Sequence, residues 1–309
     1  MKTIPPGEGR RFNPLNDFLF FKVMGEKGDE AQLLGFLNAV LGRTGKNRFT
    51  SVEILENKSF IAEAIGGKSS NLDVRAVLQG GSRINVEVQL RNQYNMDKRS
   101  LFYWSRMFIR SLKTGQDYRE LPRVITINIL NYEFLPAGDF HTCFHLKEDR
   151  DNTLLTDALE IHYVDMVKWR RLGGKDIVNN SLHRWLTWFD PGSAPELVAE
   201  VVSMDTAIQK ADKRQDHVLS DDDALRIYEM RQKAHWDLIS TTNYAREEGH
   251  KEGHKEGHEE GHKEGLREGS KKGREDVARK ALAEGATIEF VRKITGLSAR
   301  EIAKLNKKR

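Results

Sequence analysis

Leu72-Asp73-Val74-Arg75-Ala76-Val77-Leu78 and Ile84-Asn85-Val86-Glu87-Val88-Gln89-Leu90, with Gly80-Gly81-Ser82 between them, decide how this chain is read. In the first run the even positions Leu72, Val74, Ala76 and Leu78 are apolar; in the second they are Ile84, Val86, Val88 and Leu90. Successive side chains of a strand point to opposite faces, so each run is a strand with one buried side. The glycines between them supply a hairpin turn. Directly paired residues share a face, so even must pair with even, and the loop must hold an odd number of residues. A three-residue loop at Gly80–Ser82 sets Asp73 opposite Gln89 and Arg75 opposite Glu87. The odd-numbered face then gathers Asp73, Glu87 and Gln89.

Working outward, residues 17–41 have helical periodicity, interrupted near Gly25 and Gly28, and read as two helices joined at that break. Residues 98–112 read as a helix. Residues 123–130 are almost all apolar and β-branched, as expected of a central strand covered on both faces. Residues 142–146 and 161–164 are further candidate strands. Helix, hairpin, helix, buried strand is an α/β layered order. Residues 170–245 look helical, with Trp185, Trp188, Leu225, Ile227, Tyr228 and Trp236 as candidate core. Asp221-Asp222-Asp223 opens one of those helices, where acidic side chains complement the helix N-terminus; this reading is preferred to a metal site.

The composition then changes. From Glu247 to Gly273 a four-residue repeat places glycine at 249, 253, 257, 261, 265, 269 and 273, with almost nothing apolar. Such a segment cannot form a core of its own and reads as a charged linker or helix. His250, His254, His258 and His262 fall at i,i+4 spacing, which can bind a transition metal on a helix, although a solvated spacer is the preferred reading. Residues 277–309 regain periodicity, with Leu282, Ile288, Val291, Ile294, Leu297, Ile302 and Leu305 as a candidate apolar cluster. Nine Lys/Arg against three Asp/Glu give this tail +6. It suits either a helix-turn-helix-like DNA contact or a plain helical cap.

The whole chain has 309 residues, enough to bury a sizeable core, and a formal net charge of only +4. A dedicated coat-like DNA binder would be far more basic. Cys143 is the single cysteine, so no intramolecular disulfide forms, which fits a reducing compartment. The opening residues lack the apolar core of a secretory signal, and no apolar stretch approaches the roughly 18 residues of a membrane span. The expectation is a soluble, cytoplasmic protein without a membrane partner.

Two carboxylates on one face of neighbouring strands suit hydrolysis of a phosphodiester. A divalent cation neutralises phosphate charge, lowers the pKa of a bound water and orients attack. Mg²⁺ takes one or two carboxylates plus substrate and water oxygens, although other divalent cations fit the same ligands. Asp73 and Glu87 are the candidate metal ligands, and the Val88 carbonyl could add an oxygen. Gln89, two residues after Glu87, points to the same side and can orient a metal-bound water. Asp17 is a candidate supporting carboxylate, although helix capping is the preferred reading. Arg99 and Tyr103, four apart on one helix face, could contact phosphate or simply pack there.

The order Asp73, Glu87-Val88-Gln89, helix, buried strand resembles the PD-(D/E)xK nuclease superfamily. The fuller text resembles the Rpn family of recombination-promoting nucleases, whose members are also called transposases. The resemblance lies in Asn16-Asp17-Phe18, Phe36-Leu37-Asn38-Ala39-Val40-Leu41-Gly42, Leu72-Asp73-Val74-Arg75-Ala76, Val86-Glu87-Val88-Gln89, Lys98-Arg99-Ser100-Leu101-Phe102-Tyr103-Trp104, Gly115-Gln116-Asp117-Tyr118, Leu121-Pro122-Arg123-Val124-Ile125 and Leu159-Glu160-Ile161-His162, and the glycine-repeat tail continues it. It implies a restriction-endonuclease-like α/β core, a mixed central sheet flanked by helices, with a C-terminal helical extension. It also implies a Mg²⁺-dependent DNA endonuclease tied to recombination or mobile elements. By position Asp73 and Glu87 would be the metal ligands. Gln89 would stand where the superfamily more often has lysine, and a neutral amide cannot act as a general base.

The expected organisation is a nuclease-like domain over 1–170, a helical extension over 171–245, a charged repeat over 246–274 and a small basic helical tail over 275–309. DNA is the expected partner, with self-association through the tail as a further option. The competing reading is a non-catalytic DNA-binding or interaction protein on a nuclease fold, with the charged tail as its working part. Strand joining is a weaker third reading, because there is no second catalytic core in the sequence.

Overall fold

In the computed structural model, residues 11–55, 73–136 and 138–306 are described. Six strands form one mixed sheet: β1 (Val52–Ile54), β2 (Val74–Leu78), β3 (Arg83–Gln89), β4 (Val124–Leu130), β5 (His141–Phe144) and β6 (Leu159–Asp165). Their spatial order is β1-β2-β3-β4-β6-β5. The pairs β1–β2, β2–β3 and β5–β6 are antiparallel, whereas β3–β4 and β4–β6 are parallel. Leu72, counted above as the first apolar position of β2, lies outside the described residues. The short edge strand β1 was not foreseen.

Strand β4 is buried at all seven positions, as its β-branched run predicts. Its odd positions Ile125, Ile127 and Ile129 join the main core, together with Val74 and Val86 of the hairpin and Val164 of β6. Helices α1 (Asp17–Met24) and α2 (Ala31–Val40) cover that face. Asn16 caps α1 by accepting from Leu19 N–H, and Gly25 and Gly28 end it as the sequence suggests. Helices α4 (Met166–Arg171), α5 (Ser181–Phe189), α6 (Pro195–Met204) and α7 (Thr206–Leu219) follow β6. The rings of Trp169, Trp185, Trp188 and Phe189 are fully buried in this layer. At Gly35 a Cβ would lie 2.4 Å from that of Ala207, so α2 and α7 meet where only glycine fits.

The opposite face of the sheet is covered by α3 (Met96–Ile109), two residues longer at its start and three shorter at its end than the periodicity suggests. Met96 packs there against Leu130, Ile161 and Tyr163. This is also the side of the odd-numbered hairpin residues.

The hairpin keeps the expected parity but sits two residues away from the expected register. Val74 pairs with Val86, Arg75 with Asn85 and Ala76 with Ile84. Continued by one residue, this sets Asp73 across from Glu87, rather than from Gln89. The loop is Gln79-Gly80-Gly81, since Leu78 N–H already donates to Ser82 C=O at 2.8 Å. The turn fixes this choice. Gly81 N–H donates to Leu78 C=O at 2.9 Å, and Gly80 takes the third position of that turn with φ of 91°. A positive φ there is what glycine supplies, and it pulls Gln79 into the loop and releases Ser82 to the ladder.

Two compact units divide the chain, residues 1–234 and 235–309. Helix α8 (Asp222–Ala283) begins in the first, where Asp221 caps it by accepting from Ala224 N–H at 2.8 Å. Tyr228 is buried there, but Ile227 is 41% exposed, one residue round the helix and off the packed face, so its place in the expected core is corrected. The glycine repeat is helical throughout. In the second unit α9 (Ile288–Thr295) and α10 (Ala299–Asn306) fold with the end of α8 around Ala278, Val291, Leu297 and Ile302. Ile288 and Ile294 were expected in that cluster but are 45% and 49% exposed. Both lie on the flank of a two-turn helix too short to bury every apolar residue. Among the described residues no helix is long and apolar enough to cross a membrane.

Candidate active site

Two strands and one helix bring the charged groups together. Glu87 and Gln89 stand on β3, Asp73 leads into β2, and Arg99 and Tyr103 descend from α3. Asp73, Glu87 and Gln89 are all buried, at 3%, 1% and 7% exposure. Directly opposed residues of an antiparallel pair hold their Cβ atoms about 5 Å apart, so the register makes Asp73 and Glu87 immediate neighbours. Gln89 lies one step further along the same face and donates from Nε2 to Glu87 Oε1 at 2.6 Å. Arg99 donates from Nε to the same oxygen at 2.9 Å, and its Nη2 is 2.8 Å away. The Arg99 guanidinium also lies over the Tyr103 ring, 5.2 Å from its centroid. Arg75 Nη2 reaches Asp73 Oδ2 at 3.3 Å.

Burial sets the electrostatics. It raises the proton affinity of Asp73, and the positive charges of Arg75 and Arg99 offset only part of that rise. Glu87 is pushed up to about 7, first by burial and then by the negative charge of Asp73, against the pull of Arg99 and Gln89. Two carboxylates kept out of water and facing one another raise each other's cost of ionisation. A cation shared between them relieves it. Asp73 Oδ1 is buried and has no hydrogen-bond partner among the described residues. A buried acceptor without a donor is costly, and a hard cation is one of its natural partners. The residues present therefore fit a divalent metal ion.

Asp17 is not drawn into this group. Its Oδ2 pairs with Arg231 of α8 at 2.9 Å, and its Oδ1 accepts from Phe18 N–H. Nor is it the helix cap, a place taken by Asn16. Of three further neighbours, the sequence reading misplaced one and missed two. Arg75 was placed opposite Glu87 but serves Asp73. Asn128 extends the buried polar row onto β4, directly beside Glu87. Tyr132 follows the end of β4, and its phenol is raised by burial and then by the charge of Glu87. Its signal was positional, since sites in such sheets form beyond the carboxyl ends of parallel strands.

No curated protein and no solved structure matches the chain. A family model does, over residues 14–245, a stretch that takes in every strand of the sheet and the whole carboxylate group. That match covers three quarters of the sequence, and by it the chain belongs to the PD-(D/E)XK nuclease family transposases.

Proposed function

We propose that this protein is a divalent-metal-dependent DNA endonuclease serving recombination or mobile elements, with Mg²⁺ held by Asp73 and Glu87. The observation that carries the reading is the direct opposition of two buried carboxylates on one face of a nuclease-family sheet. Asp73 would contribute Oδ1, and Glu87 its carboxylate, oriented by Gln89 and Arg99. When bound there, the ion supplies charge neutralisation for the phosphate and a more acidic water.

The side chains around the pair have separate work. Arg99, fixed by Glu87 and the Tyr103 ring, adds a permanent positive charge beside the developing phosphate charge. Gln89 spends its amide N–H on Glu87, and its carbonyl can accept from the attacking water and orient it. It cannot take the proton, which leaves deprotonation to solvent or to a second metal-bound group.

The reading predicts Mg²⁺-dependent nicking or cleavage of plasmid, linear and single-stranded DNA that stops on chelation and is lost in Asp73→Ala and Glu87→Ala. Absence of cleavage and of metal binding across these substrates and across Mg²⁺ and Mn²⁺ would remove it. The ion pairs Arg75–Asp73 and Arg99–Glu87 favour one second reading, a non-cleaving DNA-binding protein in which arginines neutralise the carboxylates. That protein would bind DNA in a salt-sensitive way in both alanine variants and lose binding on removal of residues 246–309.

A further inference from the structure

On the opposite face of the sheet, at its β5 edge, a second group of ligating side chains comes together. The register pairs Cys143 of β5 with His162 of β6, and its continuation by one residue pairs His145 with Glu160. Alternation along each strand keeps Cys143 and His145 on one side, and likewise Glu160 and His162. Two directly opposed pairs thus place one thiol, two imidazoles and one carboxylate on one side of the β5–β6 edge, with Cys143, Glu160 and His162 drawn closest together. Across the sheet His162 aligns with Ile127 and Val86, whereas Glu87 aligns with Asn128 and Tyr163. The two groups therefore occupy opposite faces.

The distances are those of a ligand set. Cys143 Sγ is 3.5 Å from His162 Nε2, and donors about 2.3 and 2.0 Å from a tetrahedral ion stand about 3.5 Å apart. Glu160 Oε1 is 2.7 Å from the same nitrogen, close enough to open onto an ion. Through the single nitrogen Nε2, His145 lies 4.0 Å from the sulfur and 3.7 Å from Glu160 Oε2. Among the described residues, Cys143, Glu160 and His162 are the one trio of such donors whose ligand atoms all fall within 4.8 Å of one another. Outer partners are also in place. His141 Nε2 engages His162 Nδ1 at 2.9 Å, which turns Nε2 of His162 toward the group. Arg123 holds the other oxygen of Glu160. Ligating imidazoles and carboxylates are oriented by contacts of this kind. Glu160 and His162 are buried while Cys143 is exposed, so the group has a rigid floor and an open side for entry.

We propose that Cys143, His145, Glu160 and His162 form a structural transition-metal site, selective for Zn²⁺ over Mg²⁺, that clips the edge strand β5 to β6. Thiolate and imidazole donors favour Zn²⁺ and exclude the hard cation suited to Asp73 and Glu87. A four-residue edge strand, paired on one side only, gains most from such a clip.

Cys143 is the one cysteine of the chain, so a thiolate-to-metal charge-transfer band reports this site and no other. The test is titration of the full-length, reduced protein with Co²⁺, followed by displacement with Zn²⁺. The expected result is a sulfur-to-cobalt band with tetrahedral d–d absorption that saturates at one equivalent and vanishes with Zn²⁺. It is lost in Cys143→Ser, weakened in His145→Ala and unchanged in Asp73→Ala. Zn²⁺ also raises the thermal unfolding midpoint of wild type more than that of Cys143→Ser. Both Cys143 and His145 are accessible, so these variants fold. Absence of the band in wild type, or a band that survives both His145→Ala and Glu160→Gln, would overturn the proposal.

Discussion

Glu87 concentrates the physics of the candidate site in one side chain. Burial, and then the charge of Asp73, push its carboxyl up to about 7 from an ordinary value of 4.5. The folded state therefore holds a proton that the unfolded state has given up between those values. Stability from this group is fully present below about pH 4.5 and is lost as pH rises through about 7. Without metal, unfolding free energy should fall between pH 5 and pH 8 by at most about 3 kcal/mol from this source. Glu87→Gln, neutral at both pH values, should remove most of that slope in urea titrations, and an unchanged slope would place the effect elsewhere. On the proposed mechanism Gln89 acts through Glu87 and water, so Gln89→Ala should slow cleavage by roughly 10- to 100-fold, as loss of an outer contact does. Single-turnover rates at saturating Mg²⁺ check this. Residue-scale legibility was uneven. Strand parity put Asp73, Glu87 and Gln89 on one face, because period-two alternation is local. It could not choose the register, which depended on Gly80 taking the positive-φ place in the turn. The Arg231 partner of Asp17 comes from 214 residues away, beyond any local pattern.

Elements were easier to read where burial was one-sided or complete. Strand β4 and the α1–α2 break follow from apolar runs and glycine. The edge strand β1 spans three residues, too few for a periodicity, and escaped notice. The ligand pairs on β5 and β6 escaped for another reason: C-x-H and E-x-H are common spacings until a register lines them up. Glycine has two opposite meanings here. At Gly35 the neighbouring helix leaves no space, so Gly35→Ala should destabilise by about 1–3 kcal/mol through overpacking. Along the α8 repeat a Cβ at Gly253, Gly257 or Gly261 meets nothing within 4 Å. There each Gly→Ala should favour the helix by about 1 kcal/mol, since glycine loses more backbone freedom than alanine. Chemical denaturation tests the first, and amide exchange across residues 250–265 the second. A stabilising Gly35→Ala, or unchanged exchange in the triple alanine variant, would contradict these accounts.

At the scale of the molecule, the family match ends at residue 245, and the main core is built entirely from residues before it. The change of composition near residue 247 is visible in the sequence because a repeat without apolar residues cannot join a core. A fragment ending at residue 245 should keep Mg²⁺-dependent cleavage while losing affinity for DNA and part of its salt dependence, as fewer basic groups displace counterions. Filter binding across a salt series, beside a cleavage assay, separates the two properties. The central claim remains the carboxylate pair. Its most direct measurement compares Mg²⁺-dependent DNA cleavage by wild type and Asp73→Ala, purified identically and matched for folding by circular dichroism. The account predicts cleavage by wild type and a loss of at least about 100-fold in Asp73→Ala, more than an outer contact carries. Equal cleavage by the two proteins would contradict it.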